Sequence, residues 1–245
     1  MSSLFLSPST QQENSYISGG TEQFWMNRLA DVMEPYLHAA GINVTRNNPD
    51  GSVLTSIRQS NLGHYDFHLA LHSNAGAREA AGVTRYSAAY YFPGSTAGLR
   101  MANILVDNLK KLYPLPDRVF AQENASLAEL RRTRAPAVLL ELAFHDNEED
   151  AAWIKDNLEP IAENLSLSVT EYFGLPAIAP SAPQSGTVTL NSGTLNLRSA
   201  PLLDAPILRS IPDGANVEVL GVFGDWYSVS YLETYGWAAA QYIVL

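Results

Sequence analysis

The stretch Pro136-Ala-Val-Leu-Leu-Glu-Leu-Ala-Phe-His-Asp-Asn147 decides how the chain is read. Residues 137–140 form a near-continuous apolar run, which predicts a strand covered on both faces. Asn147 then stands before the acid-rich run Glu148-Glu149-Asp150, where it caps a helix. Helical spacing continues through Ile154, Leu158, Ile161, Leu165, Val169 and Tyr172, with Pro160 kinking or dividing the helix. A buried strand running into an amphipathic helix is the repeating unit of an α/β sheet. Glu141 follows the apolar run directly. A carboxylate placed there is costly to bury without a partner or a task.

The same alternation recurs on the N-terminal side. Residues 3–6 read as a short buried strand ending at Ser7-Pro8, and residues 42–45, 67–71 and 85–92 as further strands. Residues 22–40 carry Trp25, Leu29, Val32, Met33, Tyr36, Leu37 and Ala40 at helical spacing, with Thr21 as cap and Gly41 at the end. Residues 96–112 give a second helix, stopped by Tyr113-Pro114. The expected fold through residue 174 is α/β, a mainly parallel sheet with helices on both faces. Residues 175–185, rich in Pro and Ala, read as a linker. Residues 186–245 hold only short strands and turns. They predict a small all-β barrel with a core of Leu195, Leu197, Ile211, Val217, Val219, Val229 and Trp237.

Charge narrows the partners. The chain of 245 residues has a net charge of −10. Residues 1–174 carry 13 basic against 20 acidic side chains, a net of −7, and the remainder 2 against 5, a net of −3. Neither part offers the basic surface that phosphate neutralisation needs, so nucleic acid is not an expected partner. Anionic membranes and anionic polymers are disfavoured on the same ground. No run approaches the roughly 18 apolar residues of a membrane helix. The first residues have no basic n-region or apolar run of signal-peptide length. There is no cysteine, which excludes disulfides, thiolate ligands and thiol catalysis. The oligomeric state is not set by the sequence, with a monomer as the expectation.

In open α/β sheets, sites form beyond the carboxyl ends of strands. His72-Ser73-Asn74 follows one predicted strand, Glu141 lies at the end of another, and the loop after the first strand leads into Glu22. His72 and Glu22 suit a zinc ion that has no thiolate available. Glu141 suits the proton transfers of metal-assisted hydrolysis. Each has a plainer role too: a strand-end histidine as a structural group, and a first-turn glutamate as complement to the helix dipole. His68 lies four residues before His72, about 13 Å away at strand rise, so it cannot share a metal with it. His38 and His64 read as helix-end and loop residues without a role.

Together these segments resemble the zinc-dependent N-acetylmuramoyl-L-alanine amidases over roughly residues 3–174. The resemblance rests on Gly20-Thr21-Glu22 with Asn27, on Thr45-Arg46, Arg58 and Asn61, on the run from Asp66 to Ala75, and on the run from Pro136 to Asn147. It implies Glu22 and His72 as zinc ligands and Glu141 as the catalytic carboxylate. The bond implied is the amide between N-acetylmuramic acid and L-alanine in peptidoglycan, which lies outside the cell membrane. Asn74, Arg134 and His145 are the candidate substrate-binding residues. One departure is clear. That family places a zinc-binding histidine just after the first strand, and the run Ser7-Pro8-Ser9-Thr10-Gln11-Gln12-Glu13-Asn14 has none. Three readings stay open: a third ligand from Gln11, Glu13 or His145; a zinc held by two protein ligands; or a catalytically inactive protein that keeps the fold and binds peptidoglycan.

The C-terminal part resembles bacterial SH3-like cell-wall modules through Leu195-Asn196-Leu197-Arg198-Ser199-Ala200-Pro201, Asp225-Trp226-Tyr227-Ser228-Val229 and Tyr235-Gly236-Trp237-Ala238. Arg198, Trp226, Tyr227, Tyr231 and Tyr235 are candidates for a peptide groove, some of them being core instead. With a net charge of −3, peptide stems or cross-bridges suit it better than anionic wall polymer.

Overall fold

The computed structural model describes residues 2–245. Its first part runs β1 (Ser3–Pro8), α1 (Glu22–Ala39), β2 (Asn43–Arg46), α2 (Val53–Leu62), β3 (Phe67–Asn74), β4 (Ser87–Tyr91), α3 (Thr96–Leu109), β5 (Val119–Glu123), α4 (Ala128–Arg132), β6 (Ala137–Phe144), α5 (Glu148–Asp156) and α6 (Leu158–Phe173). The strands form one sheet in the order β2-β1-β3-β6-β4-β5. β1, β2, β3 and β6 are parallel, while β4 turns antiparallel to β6 and pairs parallel with β5. The expected α/β class with a mainly parallel sheet therefore holds.

The two sheet faces are unequal. Leu4 and Leu6, Leu69 and Leu71, and Val138 and Leu140 join the large core with α1, α3, α5 and α6. The alternate positions point the other way, because strand side chains have a period of two. There Ala70, Ala137 and Leu139 form a small cluster with Leu130 of the short α4, flanked by Tyr90, Phe92 and Leu127. Ser7, His68, His72 and Glu141 share that parity, so the polar residues of the sheet lie on its thinly covered face.

Three elements escaped the sequence reading: α2, β5 and α4. The buried positions of α2 are Ser56, Ile57 and Ser60, which leave almost no apolar stripe to detect. β3 and β6 also run further than the apolar runs suggest, to Asn74 and Phe144, because ladder pairing continues past the polar register pair His72 and Glu141. Those two residues thus lie within strands rather than beyond them. The C-terminal helix divides at Asn157, and Pro160 falls in the first turn of α6, where a missing N–H costs nothing.

The second part comprises β7 (Gln184–Val188), β8 (Thr194–Arg198), β9 (Ile207–Pro212), β10 (Asn216–Phe223), β11 (Trp226–Tyr231), β12 (Thr234–Ala239) and β13 (Ile243–Val244), all paired antiparallel in the order β13-β7-β10-β11-β12-β8-β9. Leu195, Leu197, Ile211, Val217, Val219 and Val229 form its core, as expected. Trp237 does not. It is fully buried, but it lies against Gly41 at the end of α1, where a Cβ would come within 2.6 Å of its Nε1.

This contact belongs to a docked interface. Asn43 and Tyr235 exchange two hydrogen bonds, Nδ2 to the Tyr235 carbonyl at 3.0 Å and the Tyr235 N–H to Oδ1 at 3.0 Å. His38 stacks on the Tyr235 ring at 3.9 Å with 7° between planes. Ser228 donates to the His38 carbonyl at 3.2 Å. From the linker, Ser181 donates to the Leu220 carbonyl and Ile178 lies against Gly221. His38 and Tyr235, without a role and a groove residue in the sequence reading, are interface residues. The small sheet sits at the edge where β1 to β3 begin, opposite the end where they finish.

Candidate active site

Where β1 and β3 finish, a cleft of about 490 Å³ opens between the loop after β1, the start of α2 and the start of α4. His72, Glu129, Leu139 and Glu141 line its depth, and Gln11 and Glu13 its rim.

Glu22 reaches this point because Thr21 caps α1, its hydroxyl accepting from the Phe24 N–H at 3.2 Å. The Glu22 carboxylate is 1% exposed. Its Oε1 lies 2.8 Å from Nδ1 of His72 and accepts from the Ser73 N–H at 3.3 Å. Its Oε2 accepts from Asn14 Nδ2 at 2.6 Å, and the same Asn14 amide group donates to Gln11 Oε1 at 3.0 Å. Gln11 Nε2 stands 3.4 Å from His72 Nδ1. Burial pushes the Glu22 carboxyl up, but the hydrogen bonds and charge of His72, with Asn14 and Ser9, hold it below the ordinary carboxylate range.

The other ring nitrogen of His72 meets a residue the sequence did not single out. Nε2 lies 3.2 Å from Oε2 of Glu129, a buried carboxylate in the first turn of α4. Oε1 of Glu129 accepts from the Ser7 hydroxyl at 2.6 Å and faces His68 Nε2 at 3.2 Å. His68 is itself fully buried and held at Nδ1 by Ser60 at 3.0 Å. Burial acts to lower the His72 pKa, yet the two flanking carboxylates raise it well above the ordinary histidine value. Burial acts to raise that of Glu129, and the hydrogen bonds from His68 and His72 pull it far below the carboxylate range. The one sequence signal for Glu129 was an acid set between Leu127 and Leu130 in an otherwise polar stretch.

Glu141 pairs in register with His72 across β3 and β6 and opens onto the same cleft. Its Oε2 is buried without a hydrogen-bond partner. Burial, helped by the charge of Glu22 and opposed by that of His72, pushes its pKa up to about 7.

The expected substrate-binding residues lie elsewhere. Arg134 is clamped to the far end of α2, its N–H donating to Asn61 Oδ1 at 2.7 Å and Nη1 to the Asn61 carbonyl at 3.1 Å. That is the edge where β6 begins, away from the cleft. Asn74 donates to the Tyr86 hydroxyl at 3.1 Å. His145 is buried, stacked on Tyr16, with Nδ1 taken up by the Ser73 carbonyl at 2.8 Å. None of the three lines the cleft. Among the described residues, no three His, Asp or Glu side chains are arranged to hold a metal ion. Of the third-ligand candidates, Gln11 alone stands beside the Glu22–His72 pair.

With this geometry in place, comparison with known proteins decides the family. The N-acetylmuramoyl-L-alanine amidase profile matches residues 10–171. The chain belongs to that family. A bacterial SH3 domain profile matches residues 193–244. A probable cell wall amidase, LytH of Staphylococcus aureus, is 30% identical over 138 residues, which is 56% of this chain and 44% of LytH. The match therefore spans less than half the length of that relative. Among solved structures, the amidase AmiC2 of Nostoc punctiforme aligns with a TM-score of 0.62 at 12% identity, covering 70% of this chain and 97% of that one. The CwlV catalytic domain from Bacillus (Paenibacillus) polymyxa var. colistinus gives 0.61 at 16%, covering 72% and 100%. The catalytic domain of the endolysin CD27L gives 0.58 at 22%, covering 70% and 98%. These likenesses show that residues of the amidase part adopt the amidase fold. No helix among the described residues is long and apolar enough to cross a membrane.

Proposed function

We propose that this amidase-family chain is a zinc-dependent peptidoglycan hydrolase that cleaves the amide between N-acetylmuramic acid and L-alanine, working outside the cell on the wall. The observation that carries the reading is Glu141, whose buried Oε2 is unpartnered beside the Glu22–His72 pair and faces an open cleft.

The residues present fit a divalent cation. His72 Nδ1 and Glu22 Oε1 face each other at 2.8 Å, so a positive species must lie between two electron-rich atoms, a proton in its simplest form. Gln11 Nε2 stands at the same point while its Oε1 accepts from Asn14, so Gln11 would offer zinc an oxygen only on turning its amide and giving up the Asn14 bond. Glu22 and His72 would hold zinc there, with Gln11 in the position usual for a histidine. Zinc supplies Lewis-acid polarisation of the scissile carbonyl and makes a water acidic near pH 7.

Glu141 does the proton work. Its pKa of about 7 leaves it able to accept a proton and to give one back. It takes a proton from the water that attacks the lactyl carbonyl and returns it to the departing amine of L-alanine. The hydroxyl group ends on the carbonyl carbon, and the C–N bond breaks. Leu127 and Val53 flank the cleft and give it apolar walls. The SH3 module holds the chain on the insoluble wall, raising local substrate concentration without touching the reacting atoms. Its shallow groove, bordered by Arg198, Trp226 and Tyr242, suits stem or cross-bridge peptides.

The missing histidine in residues 7–14 favours one rival, a wall-binding protein that keeps the fold but not the reaction. Metal analysis of purified protein, together with mass spectrometry of fragments from digested sacculi, separates the two. Bound zinc and release of stem peptides beginning at L-alanine support the amidase. Intact sacculi carrying bound, zinc-free protein support the rival.

A further inference from the structure

We propose that Glu129 is the positioning residue of this site: it accepts the Nε2 proton of His72 and so turns Nδ1 toward Glu22 and Gln11. The inference rests on the reading of His72 as a metal ligand.

An ionised carboxylate only accepts hydrogen bonds, so every neighbour of Glu129 must donate to it. Its three neighbours are the Ser7 hydroxyl on Oε1 at 2.6 Å, His68 Nε2 on Oε1 at 3.2 Å and His72 Nε2 on Oε2 at 3.2 Å. The Nε2 proton of His72 is therefore assigned by its surroundings. Nδ1 faces the Glu22 carboxylate in the same way and carries a proton when no cation is bound. A cation held by Glu22 would take that proton's place, which makes Nδ1 the ligating atom and leaves the Nε2 proton on Glu129. Carboxylates that accept the second N–H of a metal-bound imidazole fix its tautomer and raise its basicity.

Glu129 is built for that task. It is 3% exposed and, among the described residues, no lysine or arginine pairs with it, although an uncompensated buried carboxylate is expensive. Ser7 comes from β1, His68 and His72 from β3, and Glu129 from α4, so three separate elements fix one carboxylate. Ser60 on α2 holds the far nitrogen of His68, which leaves His68 Nε2 as the donor to Oε1. The ring of His68 stacks on Phe5 at 5.2 Å, so it cannot swing away. His68 is then a support for Glu129, which explains a buried histidine that lies too far along β3 to reach the metal point.

A purely structural ion pair in the same place predicts something else. Its loss would lower stability and leave metal affinity and the His72 tautomer alone. The test is Glu129→Gln in the full chain, read three ways. Zinc affinity is measured by competition with a chromogenic chelator, the His72 ring nitrogens by nitrogen-15 NMR of the zinc-free protein, and unfolding by calorimetry with chelator present. Positioning predicts zinc binding weaker by about 10- to 100-fold and a His72 Nε2 resonance that moves on substitution. Unchanged affinity and unchanged His72 resonances, with only a lower Tm, would overturn it. If wild-type protein binds no zinc, the metal reading fails by itself, and the NMR arm still decides whether Glu129 fixes the ring. Should Glu129→Gln fail to fold, Ser7→Ala removes only the hydroxyl on Oε1 and is expected to weaken zinc binding in the same direction, by less.

Discussion

His72 and Glu141 are register partners on the parallel strands β3 and β6, so both side chains project from one sheet face into one cleft. The proposed general base thus sits one strand spacing from the proposed ligand, on adjacent strands. Glu141→Gln is expected to cut stem-peptide release from sacculi by about 10²- to 10⁴-fold while zinc stays bound. Unchanged release would remove Glu141 from the mechanism.

The raised pKa of Glu141 sets a pH dependence. The proposed base must be ionised, and a cation at Glu22 and His72 would draw its pKa below the metal-free value of about 7, so kcat/KM is expected to rise with pH on the acid side of 7. Stability runs the opposite way in zinc-free protein. The folded state holds this proton more tightly than the unfolded chain, so the contribution is full below the ordinary carboxylate pKa and is lost as pH rises through about 7. Glu141→Gln should therefore gain Tm relative to wild type on going from acid to mildly alkaline solution. A constant Tm difference across that range would contradict the burial argument.

Gln11 stands where it can act as the third donor, and imidazole binds zinc better than a neutral amide. Gln11→His is expected to tighten zinc binding and Gln11→Ala to weaken it, both measurable by chelator competition. If neither changes affinity, the third position belongs to solvent or to another side chain.

The docking of the SH3 module predicts shared unfolding. Gly41 has φ +76° and its missing Cβ makes room for Trp237. Gly41→Val costs about 1–2 kcal/mol from the backbone alone and also displaces Trp237. One calorimetric transition in wild type should split into two in the variant. His38 adds a pH term: burial holds it below the ordinary histidine value, against the opposing charge of Glu34. The unfolded chain then binds the extra proton, so the docked state weakens as pH falls through about 6.5. His38→Gln should remove that acid sensitivity.

Wall attachment through an acidic module should not depend on charge. Trp226→Ala is expected to lower sacculus binding about tenfold, with little effect of added salt on wild-type binding. A steep salt dependence would point to anionic polymer as the ligand.

The apolar runs at residues 67–71 and 137–140 were enough to place β3 and β6, and the Thr21 cap to place α1, because burial and capping act locally. The same locality hid α2, whose inward face is largely serine, and α4, which is only five residues long. Arg134 was a candidate for substrate because the family resemblance sets it just before the strand that carries Glu141. Only the fold shows Asn61 clamping it at the wrong edge of the sheet. Trp237 looked like barrel core because a buried aromatic has no sequence mark for which body buries it.

By itself, the sequence determined the α/β layer and the all-β second part, and it singled out Glu22, His72 and Glu141 as candidates, since each follows from short-range pattern or motif. Tertiary structure alone decided that Glu129, from a helix 57 residues beyond His72 in the chain, closes on its Nε2, and that the SH3 module docks away from the cleft. Pairings of that kind depend on which side chains the finished fold brings within about 3 Å, and no local pattern encodes a distance across the sheet.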